Sequence, residues 1–209
     1  MNYYNGRDGG MKPILDACCG AKIFWFDKKN PNVLFCDKRV VPYHEYYKNR
    51  YIEIKPDIVC DFTNLPFPDK SFKLVVFDPP HLTRAGKSSW MALKYGCLED
   101  DWPQMLHDGF WECMRVLDDY GTLIFKWSEV QIPLKQVLDA IKAEPLTAVW
   151  QDAGFVTSFD IFVFIKNLYF VCGLVGKSPA LRQARNTLPA IPPTHRTMTV
   201  KAVRNAIVF

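Results

Sequence analysis

Acid is missing from the last quarter of this chain. All 22 Asp and Glu lie at or before Asp160, whereas seven of the 26 Lys and Arg follow it. The first 160 residues carry a formal net charge of −3 and the last 49 carry +7. A basic segment on a mildly acidic body points to a polyanion or an acidic partner surface, or to a solvated tail with no partner. Other absences narrow the field. The seven cysteines form no CxxC pair and there is no His-rich cluster, so no metal-ligand spacing is present and no metal is expected. Reduced, buried thiols in a cytoplasm are the default for such a count without the basic, apolar, small-residue order of a signal peptide. No GxGxxG occurs, which disfavours a nicotinamide enzyme. The most apolar stretch, residues 161–176, is broken by Lys166 and is short for a membrane span.

What is present is a repeated pattern. In 209 residues that are 49% hydrophobic, enough for one domain with a sizeable core, four apolar runs each end in an acid. Ile14-Leu15 precedes Asp16, residues 32–36 precede Asp37, residues 57–60 precede Asp61, and Leu74 to Phe77 precede Asp78. Runs this short and this rich in β-branched and aromatic residues read as buried strands. In open α/β sheets, ligands bind at the carboxyl ends of the strands. Four carboxylates on one such edge repel one another unless a ligand or hydrogen-bond donors meet them, and a ligand is the preferred reading.

Local chemistry fits that edge. Asp16 to Gly20 is a turn of small residues that lets a ligand approach the backbone, with Gly20 free to adopt positive φ, and Ala21 to Phe26 reads as the start of a helix. Asp37 falls 21 residues after Asp16, about where a second-strand acid reaches a ribose hydroxyl pair. Lys38 and Arg39 follow, either solvated or touching a ligand carboxylate. Pro79 and Pro80 end the strand at Asp78, either as a tight turn closing a core strand or as a rigid mount for Asp78 and His81. The connection from 82 to 101 is long and is placed to cover a substrate. Residues 42–51, aromatic and basic, read as a semi-exposed helix or loop that could stack a base. Helices are predicted over 102–117 and 133–141, and closing antiparallel strands at 155–156 and 161–165.

Asp78-Pro79-Pro80-His81 resembles the Asp/Asn-Pro-Pro-aromatic motif of methyltransferases that use S-adenosyl-L-methionine (SAM) to methylate amino groups. Asp16-Ala17-Cys18-Cys19-Gly20 resembles motif I of class I SAM methyltransferases, often Asp-x-x-x-Gly-x-Gly, with Lys22 in place of the second glycine. Leu65 to Phe72, and Arg115-Val116-Leu117 followed by Gly121 and Leu123, resemble two further segments of that family. The resemblance covers residues 12–166. It implies an α/β, Rossmann-like class I methyltransferase fold, with a mostly parallel seven-stranded sheet and helices on both faces. Residues 1–11 would be a mobile arm and 167–209 a basic extension of unknown fold. The resemblance places SAM on Asp16, Ala17, Cys18, Cys19, Gly20, Asp37, Asp61 and Phe62. It makes Asp78, Pro79, Pro80 and His81 the catalytic set. Asp78 and the Pro79 carbonyl would accept the amino N–H groups, and His81 would stack on the substrate or take a proton. The implied reaction is methyl transfer to an amino nitrogen, foremost the N6 of adenine in DNA or RNA, with nucleic acid as partner and no membrane. A protein or small-molecule methyltransferase, or an inactive SAM-fold binding subunit, is the alternative.

Overall fold

The computed structural model describes residues 12–86, 89–151, 159–167 and 170–171. Seven strands form the main sheet: β1 (Ile14–Asp16), β2 (Val33–Asp37), β5 (Ile58–Val59), β6 (Phe72–Phe77), β7 (Leu117–Ser128), β9 (Thr147–Gln151) and β10 (Phe159–Ile165). Their spatial order is β5-β2-β1-β6-β7-β10-β9. The pairs from β5 to β7 are all parallel, and β10 is antiparallel to both β7 and β9. The chain runs outward from β1 to β5, then returns to the other side of β1 to lay down β6. That reversal makes the gap between the carboxyl ends of β1 and β6 the topological switch point, where open α/β sheets hold ligands.

Burial explains the strands. All five residues of β2 are buried, as expected for an interior parallel strand. Alternate residues of the other strands, among them Leu15, Val75, Phe77, Leu123, Phe125, Phe162 and Phe164, join one core with helices α2 (Trp102–Val116) and α3 (Leu134–Ile141). On α2 the buried residues Leu106, Gly109, Phe110, Cys113 and Met114 recur at three- and four-residue spacing, which makes one apolar stripe. Pro103 sits in its first turn, where a missing N–H costs nothing. The helix ends because Leu117 turns extended and passes straight into β7. Arg115 then fastens the 61–71 loop to α2, donating to the Leu65 and Phe67 carbonyls and to Glu112 and Asp69.

The sheet and the two long helices match the sequence reading, but three expectations are corrected. Residues 21–26 are turns and not helix, since Lys22 takes φ 56° and Trp25 reaches back to the end of β1. Residues 42–51 belong to a hairpin, β3 (Val41–Tyr47) with β4 (Arg50–Ile54), whose two register shifts blur the strand alternation in the sequence. The β1–β2 and β2–β5 crossovers therefore carry no helix. Among the described residues the two long helices share one core on one side of the sheet, and helices on both faces are not found. The 82–101 connection holds a short helix, α1 (Trp90–Tyr95). Folded structure runs beyond residue 166: β11 (Phe170–Val171) pairs with β8 (Ala143–Glu144). The arm at 1–11, the strand at 155–156 and the extension beyond 171 lie outside the described residues. Among those described, no helix is long and apolar enough to cross a membrane.

Gly109 tests the packing of α2. A Cβ there would lie 2.4 Å from Phe62 Cδ2 and 3.1 Å from Phe77 Cζ. Phe62 meets Phe77 edge-on at 5.3 Å, so its ring has little room to retreat. Alanine improves helix propensity by about 1 kcal/mol, while overpacking costs about 1–3 kcal/mol. Gly109→Ala should lose net stability, by up to about 2 kcal/mol, in urea unfolding.

Candidate functional site at the switch point

The ends of β1, β2 and β6 bring three acids together, and each has a protein donor. Asp16 is 2% exposed; Trp25 Nε1 donates to Oδ2 at 2.7 Å and Cys18 N to Oδ1 at 3.3 Å. Asp37 is 4% exposed; Gly20 N and Arg39 N each donate to it at 2.8 Å, and Arg39 Nε and Nη2 at 3.2 and 3.4 Å. Asp78 forms an ion pair with Lys126 through Oδ2 at 2.7 Å, with side chains 17% and 13% exposed. The repulsion that seemed to call for a ligand is thus met largely by the protein itself. Asp61, half-buried, caps its own turn: Thr63 N and Oγ1 both donate to it, at 2.9 and 2.8 Å. That is the turn-forming role, with Lys38 a further 3.8 Å from its other oxygen.

Burial sets the titration of the group. It pushes Asp16 up to about 7; the Trp25 hydrogen bond pulls the other way, and the charge of Asp78 adds to the rise. Burial also raises Asp78 above the usual carboxylate range, opposed by Lys126. His81 is depressed to about 4, first by burial and then by Lys126. Cys18 lies well above the usual thiol range for the same first reason, so a neutral thiol faces the site.

The turn residues stand where the sequence places them. Ala17 and Cys19 are buried, Cys18 is half-buried, and Gly20 takes φ 49° with its N–H on Asp37. Phe62 is buried against Phe77. Pro79 is buried and Pro80 half-buried. His81 departs from expectation. It is 1% exposed and turned inward, its ring 5.3 Å from Tyr95 and 6.5 Å from Trp127, so it offers no open face on which a base could stack. Tyr95, on α1, lies nearer the mouth, with Lys126 Nζ 5.7 Å from its ring.

Lys126, Tyr95 and the grip of Arg39 were not read from the sequence. Lys126 had a signal: it ends the apolar run Leu123 to Phe125, and one step past the Phe77–Phe125 pair it stands beside Asp78. Arg39 holds Asp37 and donates to the carbonyls of Leu93 and Lys94 at 3.2 and 3.3 Å.

No family model matches the sequence, and no curated protein matches it. Among solved structures, the chain is similar to a geranyl diphosphate methyltransferase in complex with GPP and sinefungin (TM-score 0.42, 11% identity, 73% of this chain and 70% of that one). It is also similar to geranyl diphosphate C-methyltransferase from Streptomyces coelicolor A3(2) (0.34, 12%, 52% and 51%) and to the [4+2]-cyclase SpnF (0.32, 12%, 52% and 54%). The matches span little more than half the length of the last two structures. At these identities and TM-scores the likeness says nothing of family, reaction or substrate.

The residues present fit a nucleoside cofactor in kind. A turn of small residues, an acid at the end of the second strand and an apolar ring at Phe62 are the right parts. Space is another matter. The cleft between them, lined by Cys18, Asp37, Arg39, Phe62, Pro80 and Tyr95 among others, measures about 60 Å³. Cofactor sites run on the order of 300–1,000 Å³. Segment 89–97 takes up the difference: Lys94 O is 3.0 Å from where a Cβ on Gly20 would stand, and a Cβ on Gly96 would be 3.3 Å from Pro80.

Asp16 gives a test with a sign. Unfolded, it loses its proton near 3.8; folded, near 7. Between these values the native state binds the extra proton, so this residue's contribution to stability falls as pH rises from about 4 to 7. Asp16→Asn keeps an acceptor for Trp25 and removes the titration. Relative to wild type, it should gain about 1–3 kcal/mol between pH 5 and pH 8 in urea unfolding.

Proposed function

We propose that this chain is a SAM-dependent methyltransferase whose acceptor is an amino nitrogen of a small molecule or a protein side chain. The observation that carries the reading is the placement of the small-residue turn Asp16–Gly20 and the Asp78–Lys126 pair at the two strands flanking the switch point. SAM, when bound, supplies an electrophilic sulfonium methyl. The residues that would hold it are the turn, Asp37 and Phe62.

The chain's part is positioning and electrostatics. Lys126 holds Asp78 through Oδ2, and Oδ1 accepts no hydrogen bond among the described residues. That oxygen, beside the rigid Pro79-Pro80 backbone, can accept an N–H and turn the nitrogen lone pair toward a donor. Lys126 also opposes the burial that raises the Asp78 carboxyl. A flipped-out adenine is less well supported, because the family's stacking position is here an inward-turned His81.

The test is tritiated methyl transfer from SAM to separate small-molecule, protein and nucleic-acid fractions. Label should enter one of the first two. Asp78→Ala should lower turnover by about 10²–10⁴-fold while leaving the affinity for S-adenosylhomocysteine within a few-fold, since the lost acceptor acts on the substrate. Label recovered in nucleic acid would overturn the acceptor class, and no transfer to any fraction would overturn the enzyme.

A further inference from the structure

The cleft is closed by the chain itself, and the closure is fastened at the residue a cofactor would need. We infer that α1 is a latch over the cofactor cleft, that Arg39 is its catch, and that ligand binding at Asp37 releases it. This deepens the methyltransferase reading and rests on it for the identity of the ligand.

Three observations carry the inference. First, α1 has little to hold it. It has six residues and none is buried, and helices this short are marginal without tertiary packing. Its own fastenings include Ser89, whose Oγ accepts from Ala92 N at 3.3 Å and whose carbonyl accepts from Leu93 N at 3.0 Å, Gly96 N donating to Ala92 O at 2.8 Å, and the Tyr95 ring 5.3 Å from His81. Second, two of the last-turn carbonyls, which a helix cannot satisfy internally, are met by one guanidinium. Arg39 Nη1 donates to Leu93 O and Nη2 to Lys94 O, while Nε and Nη2 also donate to Asp37. The same cation thus binds the strand-end acid and the end of α1.

Third, Asp37 already accepts four hydrogen bonds, two of them from the Arg39 side chain. A diol can reach its oxygens only by displacing that side chain, because the two backbone donors belong to the turns themselves. Displacement removes the cation from the carbonyls of α1. The segment also fills the space a ligand needs, between Gly20 and Pro80. Occupancy of the acid and seating of α1 are therefore alternatives. By linkage, whatever loosens α1 tightens the ligand by the same factor.

Hydrogen exchange on the full chain, with S-adenosylhomocysteine as probe, reads this directly. Bound ligand should slow exchange in peptides covering residues 14–20 and 33–39 and speed it in 89–98, the reverse of ordinary protection. Without ligand, Arg39→Ala should speed exchange in 89–98 by about tenfold or more, the scale of one lost charge-assisted hydrogen bond. Gly96→Ala should do the same while keeping Arg39 and Asp37, because its φ of 80° and its contact with Pro80 make alanine strained. Protection of 89–98 together with 14–20 would overturn the latch and leave the cofactor reading standing. No ligand effect in any peptide would overturn the cofactor reading and the ligand half of the inference. Unchanged exchange of 89–98 in both variants would overturn the catch in either case.

Discussion

Three carboxylates buried at one sheet edge are the constraint on which this site depends. A buried charge without partners costs several kcal/mol, so each strand-end acid must find a donor before anything else can be built. Asp16 takes the indole of Trp25, Asp37 takes Gly20 and Arg39, and Asp78 takes Lys126. Much of the local architecture follows. Trp25 reaching back to Asp16, together with the left-handed Lys22, leaves residues 21–26 without a helix. The Arg39 side chain folds back onto Asp37 and carries the end of α1 with it. Lys126, at the end of an apolar stretch of β7, pairs with Asp78 and lies against the Tyr95 ring, and it adds to the burial that depresses His81.

The strands and the two long helices were legible because their signals are local. An apolar run closed by Asp16, Asp37 or Asp78 is a strand at any register, and the spacing of Met105, Phe110, Cys113, Met114 and Leu117 is a helix in any surroundings. What failed depended on distant partners. The hairpin at 41–54 is obscured by its register shifts. The turn at 21–26 has helical composition and is overridden by one indole bond, from Trp25 to Asp16 outside the segment. His81 was placed at the mouth from its position in a motif, whereas the packing of Tyr95 and Trp127 turns it inward.

The register of the acids reads in the sequence as a demand for a ligand, and the protein's own donors supply most of that demand. What still favours a cofactor at this edge is topology and shape. The strand order reverses between β1 and β6, the turn after β1 is built of small residues, and Asp78 Oδ1 accepts no hydrogen bond among the described residues. A closed cleft beside these parts is consistent with a site that opens for its ligand, as functional loops over α/β sheets commonly do.

The central claim, that SAM binds at this edge, is tested most directly by ultraviolet crosslinking of methyl-labelled SAM to the full chain, followed by peptide mapping. The account predicts label confined to peptides containing residues 16–20, 37–39 or 61–62, and lost when S-adenosylhomocysteine competes. Label on peptides elsewhere, such as the 41–54 hairpin, or no competable label at all, would contradict it.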